Sequence, residues 1–224
     1  ILEDGTVFEG THIGAHKKEV ISEIVFNTSM AGYLEVLTDP SYAGQAVCMT
    51  YPLIGNYGIC TDDMESKKPW PDGFIVRELS RNFSNFRADF SIQQFLEQNN
   101  VLGIAGIDTR ALTKILREKG TMNGMITTDE QYKKDEILPR LKAYTTGKVV
   151  EKVTCKEKYE IQGVRDLSEN GALSGSAKFV PEDYKAGKRE KKPSLVKKLN
   201  GAGKKVALLD FGMKDNIAYS LKIR

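Results

Sequence analysis

The chain has 224 residues, of which 40% are hydrophobic and 28% are charged, and its formal net charge is +3. This composition is ordinary for a soluble globular protein, and no run approaches the roughly 20 apolar residues that a membrane span needs. The first ten residues lack the basic and apolar regions of a secretion signal, so we expect a cytoplasmic protein without membrane contact. The three cysteines match neither a disulfide framework nor a paired metal site, and we predict no metal ion or cofactor in this chain.

Short apolar runs in the first 130 residues predict at least six strands. The opening segment ILEDGTVFEG has a hairpin signal at Asp4-Gly5, because this pair readily adopts the positive φ angles of a tight turn. The later runs are bounded by Gly or Asp, or are rich in Val, Ile and Phe. They are EVISEIVFNTS, GQAVCMTY, DGFIVREL, VLGIAGI and GTMNGMITT.

Two segments between the later strands have helical periodicity. In SIQQFLEQNN, Ser91 stands at the N-cap position, and in DTRALTKILREKG, Asp108 does so while Gly120 ends the helix. The apolar stripe of the second helix is expected to pack on a sheet face. The residues of that stripe are Leu112, Ile115 and Leu116.

A third and weaker helical pattern lies in TDEQYKKDEILPRLKAY, where Pro139 is expected to kink or split the helix. Strands followed by interleaved helices predict mixed α/β layering. We therefore expect residues 1–145 to form one compact, β-rich domain, with the helix that begins at Asp108 packed on its sheet.

Residues 146–203 are predicted to be an interdomain segment and linker. From Lys185 to Lys205 there are nine Lys or Arg residues and one Glu, in a stretch rich in Gly and Ser. The favoured interpretation is a solvated, loop-like linker with little protection from hydrogen exchange. The alternative is nucleic-acid binding through residues 185–205, which would weaken steeply with salt and disappear when that segment is deleted.

Residues 204–224, KKVALLDFGMKDNIAYSLKIR, have the pattern of an apolar strand, a Gly turn and a helix start. This is the opening β-α step of a doubly wound sheet. One strand cannot make such a sheet, so the sequence is expected to stop just after a second domain begins.

The stretch TDPSYAGQAVCMTYPLIGNYG contains a type I turn by composition, with Asp39 at its first corner and Pro40 at its second. The turn presents the hydroxyl group of Ser41. Considered alone, this serine is interpreted as an ordinary turn residue.

A catalytic nucleophile is weakly suggested by YGICTDD, in which Cys60 has Gly58 two places before it. A nucleophile elbow also needs a small residue two places after the nucleophile, where this chain has Asp62, and a histidine in reach. Both histidines, His12 and His16, lie in a predicted surface loop. We therefore predict that Cys60 is not catalytic, and the phosphate-binding glycine motifs are absent from the sequence.

The segment EIVFNTSMAGYLEVLTDPSYAGQAVCMTYPLIGNYG resembles the small subunit of glutamine-dependent carbamoyl-phosphate synthase. The likeness continues through VLGIAGIDTRALTKILREKGTMNGMI, VTCKEKYEIQG and VALLDFGMKDNI, and it leaves out only the basic stretch. The resemblance implies an α/β fold: a three-layer β/β/α N-terminal domain of the swivelling type, a linker, and the truncated first β-α unit of a flavodoxin-like class I glutamine amidotransferase domain.

In that family the second domain releases ammonia from glutamine through a cysteine thioester. A large subunit then uses the ammonia, bicarbonate and two ATP to make carbamoyl phosphate for pyrimidine and arginine synthesis. The resemblance thus implies a large-subunit partner that holds ATP and Mg, L-glutamine as the ligand of the full-length protein, and no nucleic acid.

The family's glutamine contact from the N-terminal domain falls on Ser41 of this sequence. The family's catalytic Cys, its His and Glu partners and its oxyanion glycines match no position before Arg224. The expected role of this chain by itself is therefore that of a structural and docking module without glutaminase activity. The rival hypothesis, an enzyme that uses Cys60, predicts that the purified chain hydrolyses glutamine.

Overall fold

The structure is a computed structural model that describes residues 1–159 and 207–223. The basic segment 185–205 lies outside the described residues, and so do the predictions made for it. The strands are β1 (Thr11–Gly14), β2 (Glu19–Asn27), β3 (Gln45–Met49), β4 (Leu53–Ile54), β5 (Gly73–Ile75), β6 (Glu78–Leu79), β7 (Leu102–Ala105) and β8 (Met122–Thr127). The α-helices are α1 (Tyr33–Thr38), α2 (Ile92–Gln98), α3 (Thr109–Lys119), α4 (Lys134–Ala143), α5 (Val149–Val153) and α6 (Asp215–Ile223).

Six of the strands form one mixed sheet in the order β1-β7-β5-β3-β2-β8. Its four central strands are parallel, whereas β1 and β8 pair antiparallel at the two edges. Strands β4 and β6 form a separate, two-stranded parallel sheet. The predicted α/β class is confirmed.

Both faces of the central strands are covered, which explains why their sequences are apolar without alternation. In β3, Val47 and Met49 face one core cluster, which also contains side chains of α1, α2 and β4. Ala46 and Cys48 face the opposite cluster, which contains the apolar stripe of α3. There are therefore three successive layers. The first contains the small sheet with α1 and α2, the second is the main sheet, and the third is α3.

Helix α3 forms as its sequence predicts. The Asp108 carboxylate accepts a hydrogen bond from the Ala111 N–H at 2.9 Å, and the helix ends at Gly120. Leu112 and Leu116 are buried in the cluster beneath the helix, and Ile115 packs against that cluster while remaining half-buried. The prediction that this stripe lies on the sheet is confirmed.

The predicted opening hairpin is only partly correct. A tight turn forms, because the Leu2 N–H bonds the Thr6 carbonyl at 2.8 Å and Gly5 has a φ of 87°. Its arms do not form a two-stranded ladder, since Leu2 instead makes a single bridge to Gly124 of β8. The run DGFIVREL also divides, with β5 in the main sheet and β6 in the small one.

The predicted split of the helix at Pro139 is wrong, because α4 continues on both sides of it, whereas the predicted kink stays a prediction. Ile137 and Leu141 are buried against Met125 of β8, and this packing favours one helix over two shorter ones. His12 was placed in a loop by the sequence pattern, but it lies in β1. None of the helices in the described part of the chain combines the length and the apolar composition that a membrane span needs.

The last described segment contains the predicted helix start, since α6 begins at Asp215. The strand expected before it is not formed at residues 207–210, where the chain makes no ladder. Leu208 and Leu209 are exposed there, and no strand of the described residues pairs with this segment. The flavodoxin-like second domain therefore stays a prediction.

Candidate functional site

The turn that carries Ser41 lies between α1 and the central strand β3. Residues Pro40–Tyr42 form one turn of 3-10 helix, in which the Tyr42 N–H bonds the Asp39 carbonyl and the Ala43 N–H bonds the Pro40 carbonyl, both at 3.1 Å. Pro40 is buried and Ser41 is exposed. The predicted type I geometry is therefore present, and Pro40 limits the freedom of the backbone beneath the exposed hydroxyl.

Hydrogen bonds from Thr38 hold the end of α1 just before this turn. The buried Thr38 hydroxyl donates to the Leu34 carbonyl at 2.8 Å and accepts from the Glu65 N–H at 2.8 Å. Its backbone carbonyl accepts from the Ser66 hydroxyl at 2.6 Å. Because the polar groups of Thr38 are hydrogen-bonded inside the protein, the backbone just before the turn is held in position.

Asp39 uses its two carboxylate oxygens for two different contacts. Oδ1 accepts from the Ser41 N–H at 2.9 Å, and Oδ2 lies 2.7 Å from Lys214 Nζ. Asp39 is only 8% exposed. Burial by itself would raise the pKa of Asp39, but the hydrogen bonds from Lys214 and Ser41 outweigh it, so the pKa lies below its usual value. The same contact raises the pKa of Lys214.

A loop held by Asp210 carries Lys214 to the turn. Asp210 Oδ1 accepts from the backbone N–H groups of Gly212 and Met213, at 2.9 and 2.8 Å, and Oδ2 accepts from the Tyr159 hydroxyl at 2.8 Å. Burial opposes ionisation of Asp210, but these hydrogen bonds and the charge of Lys67 leave its pKa below the usual value. The carboxylate thus fixes the loop that leads into α6.

Gly212 lets this loop approach the turn closely. Its φ is 101°, which side chains rarely tolerate, and a Cβ atom there would lie 2.5 Å from Val153 Cγ2 and 3.4 Å from Pro40 Cβ. A further backbone bond joins the Asp215 N–H to the Glu65 carbonyl at 2.8 Å. The final described segment is therefore anchored beside Ser41 at several points.

The thiol proposed as a rival nucleophile is buried. Cys60 is 5% exposed, and burial together with the Asp63 charge raises the pKa of its thiol to about 11. His12 Nε2 lies 2.9 Å from the Ala15 carbonyl, and its ring packs against that of His16. Over residues 1–159 and 207–223, no hydrogen bond joins either histidine to Cys60 or Ser41, so a histidine activates neither Cys60 nor Ser41 there.

Sequence reasoning singled out Ser41, whose role stays a prediction, but it did not single out a site role for the two charged residues beside it. Asp39 was assigned only to the turn, and Lys214 was not singled out. Nothing in the sequence signals their pairing, because the two residues lie far apart in the sequence and belong to separate predicted domains. Within the described residues, no group of three or more His, Cys, Asp or Glu side chains could hold a metal ion.

Comparison with known proteins gives a family match. The family model of the carbamoyl-phosphate synthase small chain, CPSase domain, matches residues 1–126. The chain belongs to this family. The match includes α1, the Ser41 turn, the whole main sheet apart from the last residue of β8, and α3, so the resemblance read from the sequence motifs is confirmed.

Individual relatives match over most of the chain. It is 46% identical to the carbamoyl phosphate synthase small chain of Clostridium perfringens, over 97% of this chain and 51% of that protein. It is 42% identical to the small chain of Nitratidesulfovibrio vulgaris, over 96% of this chain and 52% of that protein. The small chain of Oceanobacillus iheyensis is 52% identical over 63% of this chain and 38% of that protein. The chain spans about half the length of the first two relatives.

Proposed function

We propose that this chain is the N-terminal part of the small, glutaminase subunit of a glutamine-dependent carbamoyl-phosphate synthase. In this proposal Ser41 contacts glutamine, and the groups that break the amide bond lie in residues beyond Arg224. By itself the chain is a structural and docking module. The observation that carries the proposal is the exposed Ser41 hydroxyl, held on a fixed turn directly beside residues 210–215.

A serine hydroxyl suits this contact chemically. It donates one hydrogen bond and accepts others, so it can bind the amide or the carboxylate of glutamine without changing charge near neutral pH. The Ser41 backbone N–H is already bonded to Asp39, which leaves the side chain to face the ligand. Its contribution is orientation of the substrate, which is distinct from bond breaking.

The proposed partner is the large subunit of the synthase, to which the full-length small subunit would deliver ammonia. There ammonia reacts with bicarbonate at the expense of two ATP, and the ATP and Mg are held by the large subunit. No residue of the present chain is assigned a step in that reaction. The relatives' names, which describe small chains of carbamoyl phosphate synthase, support this assignment.

The test is Ser41→Ala in the full-length small subunit assembled with its large subunit. The substitution keeps the backbone N–H that bonds Asp39, so we expect the turn to stay folded. Loss of one neutral hydrogen bond, about 0.5–1.5 kcal/mol, should lower kcat/KM for glutamine about twofold to twelvefold. Carbamoyl phosphate synthesis from added ammonia should be unchanged.

A matched control is Ser84→Ala, which removes another exposed serine hydroxyl from a loop outside the site. It should change neither activity. An equal loss with glutamine and ammonia in Ser41→Ala would assign Ser41 to folding or subunit docking. An unchanged kcat/KM for glutamine would likewise overturn the proposal.

A further inference from the structure

An open cleft lies at the end of the main sheet where the parallel strands β3, β5 and β7 begin. Its volume is about 950 Å³, which is within the range of small-molecule sites. The residues just before each of these strands line it, and so do the loop before β2 and the residues of α5 and its two flanks. The cleft is therefore built from segments that lie far apart in the sequence.

Lysine side chains give this cleft its charge. Five lysines and two acidic residues are among the lining residues, so the net charge of the lining is +3. A cleft lined mainly by one sign of charge concentrates the electric field and attracts ions of the opposite sign. The lysines are Lys17, Lys68, Lys148, Lys152 and Lys156.

Both acidic residues of the cleft already have partners. Asp72 accepts a hydrogen bond from the buried Ser22 hydroxyl at 3.0 Å. The Glu151 carboxylate lies 3.0 Å from Lys148 Nζ, and the Glu151 backbone carbonyl accepts a hydrogen bond from Lys156 Nζ at 2.7 Å. Glu151 thus holds two of the lysines at the cleft while it neutralises only one of them.

Two other lysines of the cleft have no acidic partner. Within the described ranges, neither Lys17 nor Lys152 forms an ion pair. Lys152 follows Lys148 by four residues, a spacing that brings side chains to the same side of a helix. Lys17 comes from the loop before β2 and is half-buried. Their ammonium groups are therefore available to an anion in the cleft.

A rigid aromatic loop forms one wall of the cleft. Trp70 stands between Pro69 and Pro71, which are both buried and restrict the backbone on either side. The indole N–H donates to the buried Ser66 hydroxyl at 2.7 Å. Lys68 Nζ lies 4.4 Å from the centre of the Trp70 ring, in a cation–π contact. This contact holds a further ammonium group at the wall of the cleft.

We propose that this cleft binds a chain of phosphate groups, as in inorganic tripolyphosphate or the triphosphate of a nucleotide. Lysine ammonium groups bind phosphates as point charges. Several of them around one open cleft suit a ligand whose negative charges are spread along its length. Because the lysines come from distant segments, the site needs no glycine-rich phosphate loop and leaves no local motif in the sequence.

Trp70 is the only tryptophan of the chain, so its fluorescence reports on the cleft. Titration of the purified 224-residue chain with sodium tripolyphosphate should change the Trp70 emission to a plateau, with a dissociation constant below about 1 mM in about 20 mM salt. Raising the salt to about 200 mM should weaken binding about tenfold, because salt screens exposed charges. A cooperative thermal transition shows that the chain is folded. A linear change without a plateau would overturn the proposal.

Lysine variants locate the bound anion. Lys17→Met and Lys152→Met should each raise the dissociation constant for tripolyphosphate about threefold to tenfold, measured by calorimetry as well as by fluorescence. Lys152 is exposed, so its variant is expected to fold even if that of the half-buried Lys17 does not. The control is Lys114→Met, which removes the same charge from the exposed face of α3, and it should change binding less than twofold. Equal effects of all three substitutions, or no effect of Lys152→Met, would place the anion elsewhere and overturn the proposal.

Other anions identify the class of ligand. ATP without metal should bind at least as tightly as tripolyphosphate, and a clearly tighter complex with ATP would identify the nucleotide as the source of the phosphates. Inorganic monophosphate should bind at least about tenfold more weakly, because it reaches fewer ammonium groups. A glutamate peptide that binds as tightly as tripolyphosphate would assign the cleft to an acidic protein segment and overturn the proposal. Calorimetry on the full-length small subunit should give the same order of affinities, and Ser41→Ala should not change them, so this test is independent of the proposed glutamine contact.

Discussion

Burial determines the chemistry of individual residues outside the Ser41 turn, and the cysteines give the clearest case. Burial raises the pKa of the Cys48 thiol to about 12 and that of Cys60 to about 11. At pH 8 the Cys60 thiol would therefore be almost entirely protonated. Cys155 is only half-buried.

We expect iodoacetamide at pH 8 to alkylate Cys155 of the native chain well before Cys60 or Cys48. Only the thiolate reacts, so the rate at Cys60 should rise about tenfold for each pH unit between 8 and 10, where the pH is still below the pKa. Peptide mass spectrometry after timed labelling measures each site. Labelling of Cys60 at neutral pH as fast as that of Cys155 would restore it as a candidate nucleophile.

At the scale of a single element, α3 depends on an N-cap residue, Asp108, that is predictable from the sequence. The Asp108 side chain satisfies a backbone N–H group that would otherwise lack a partner in the first turn. Asp108→Ala should lower the free energy of unfolding by about 1 kcal/mol, measured by urea denaturation. Glu118→Gln is the control within the same helix.

Glu118 pairs with Lys114 at 3.9 Å, and both side chains are exposed. Removing such a pair should cost less than about 0.5 kcal/mol. Equal effects of the two substitutions would mean that the Asp108 cap adds nothing beyond ordinary surface electrostatics.

Elements whose signals are local were predictable from the sequence. Helices α2 and α3 have their own capping side chains, Ser91 and Asp108, and β2, β3 and β8 have runs of apolar residues. Helix α1 was not predicted, because the hydrogen bonds that cap its start come from a residue distant in the sequence. The Tyr57 hydroxyl accepts the N–H groups of Gly32 and Tyr33, at 2.6 and 3.2 Å, and Gly32 offers no side chain of its own. No local pattern contains that information.

Across the whole molecule, the difference between local signals and contacts between distant residues decides how much of the site could be predicted from the sequence. The turn at Ser41 is encoded by the adjacent Asp39 and Pro40, so its geometry was predictable. The contact of Asp39 with Lys214 exists only after the chain has folded back on itself, and no spacing or composition reports it. The strand predicted before α6 failed for a related reason, since a strand is defined by its neighbours.

The central proposal is that this chain by itself is a structural and docking module, in which Ser41 contacts glutamine without hydrolysing it. The most direct measurement is ammonia release from glutamine by the purified 224-residue chain, with the full-length small subunit as the positive control and a cooperative thermal transition as proof of folding. The account predicts no release above that of buffer alone. Release that increases with the concentration of the chain and disappears in Cys60→Ser would contradict it.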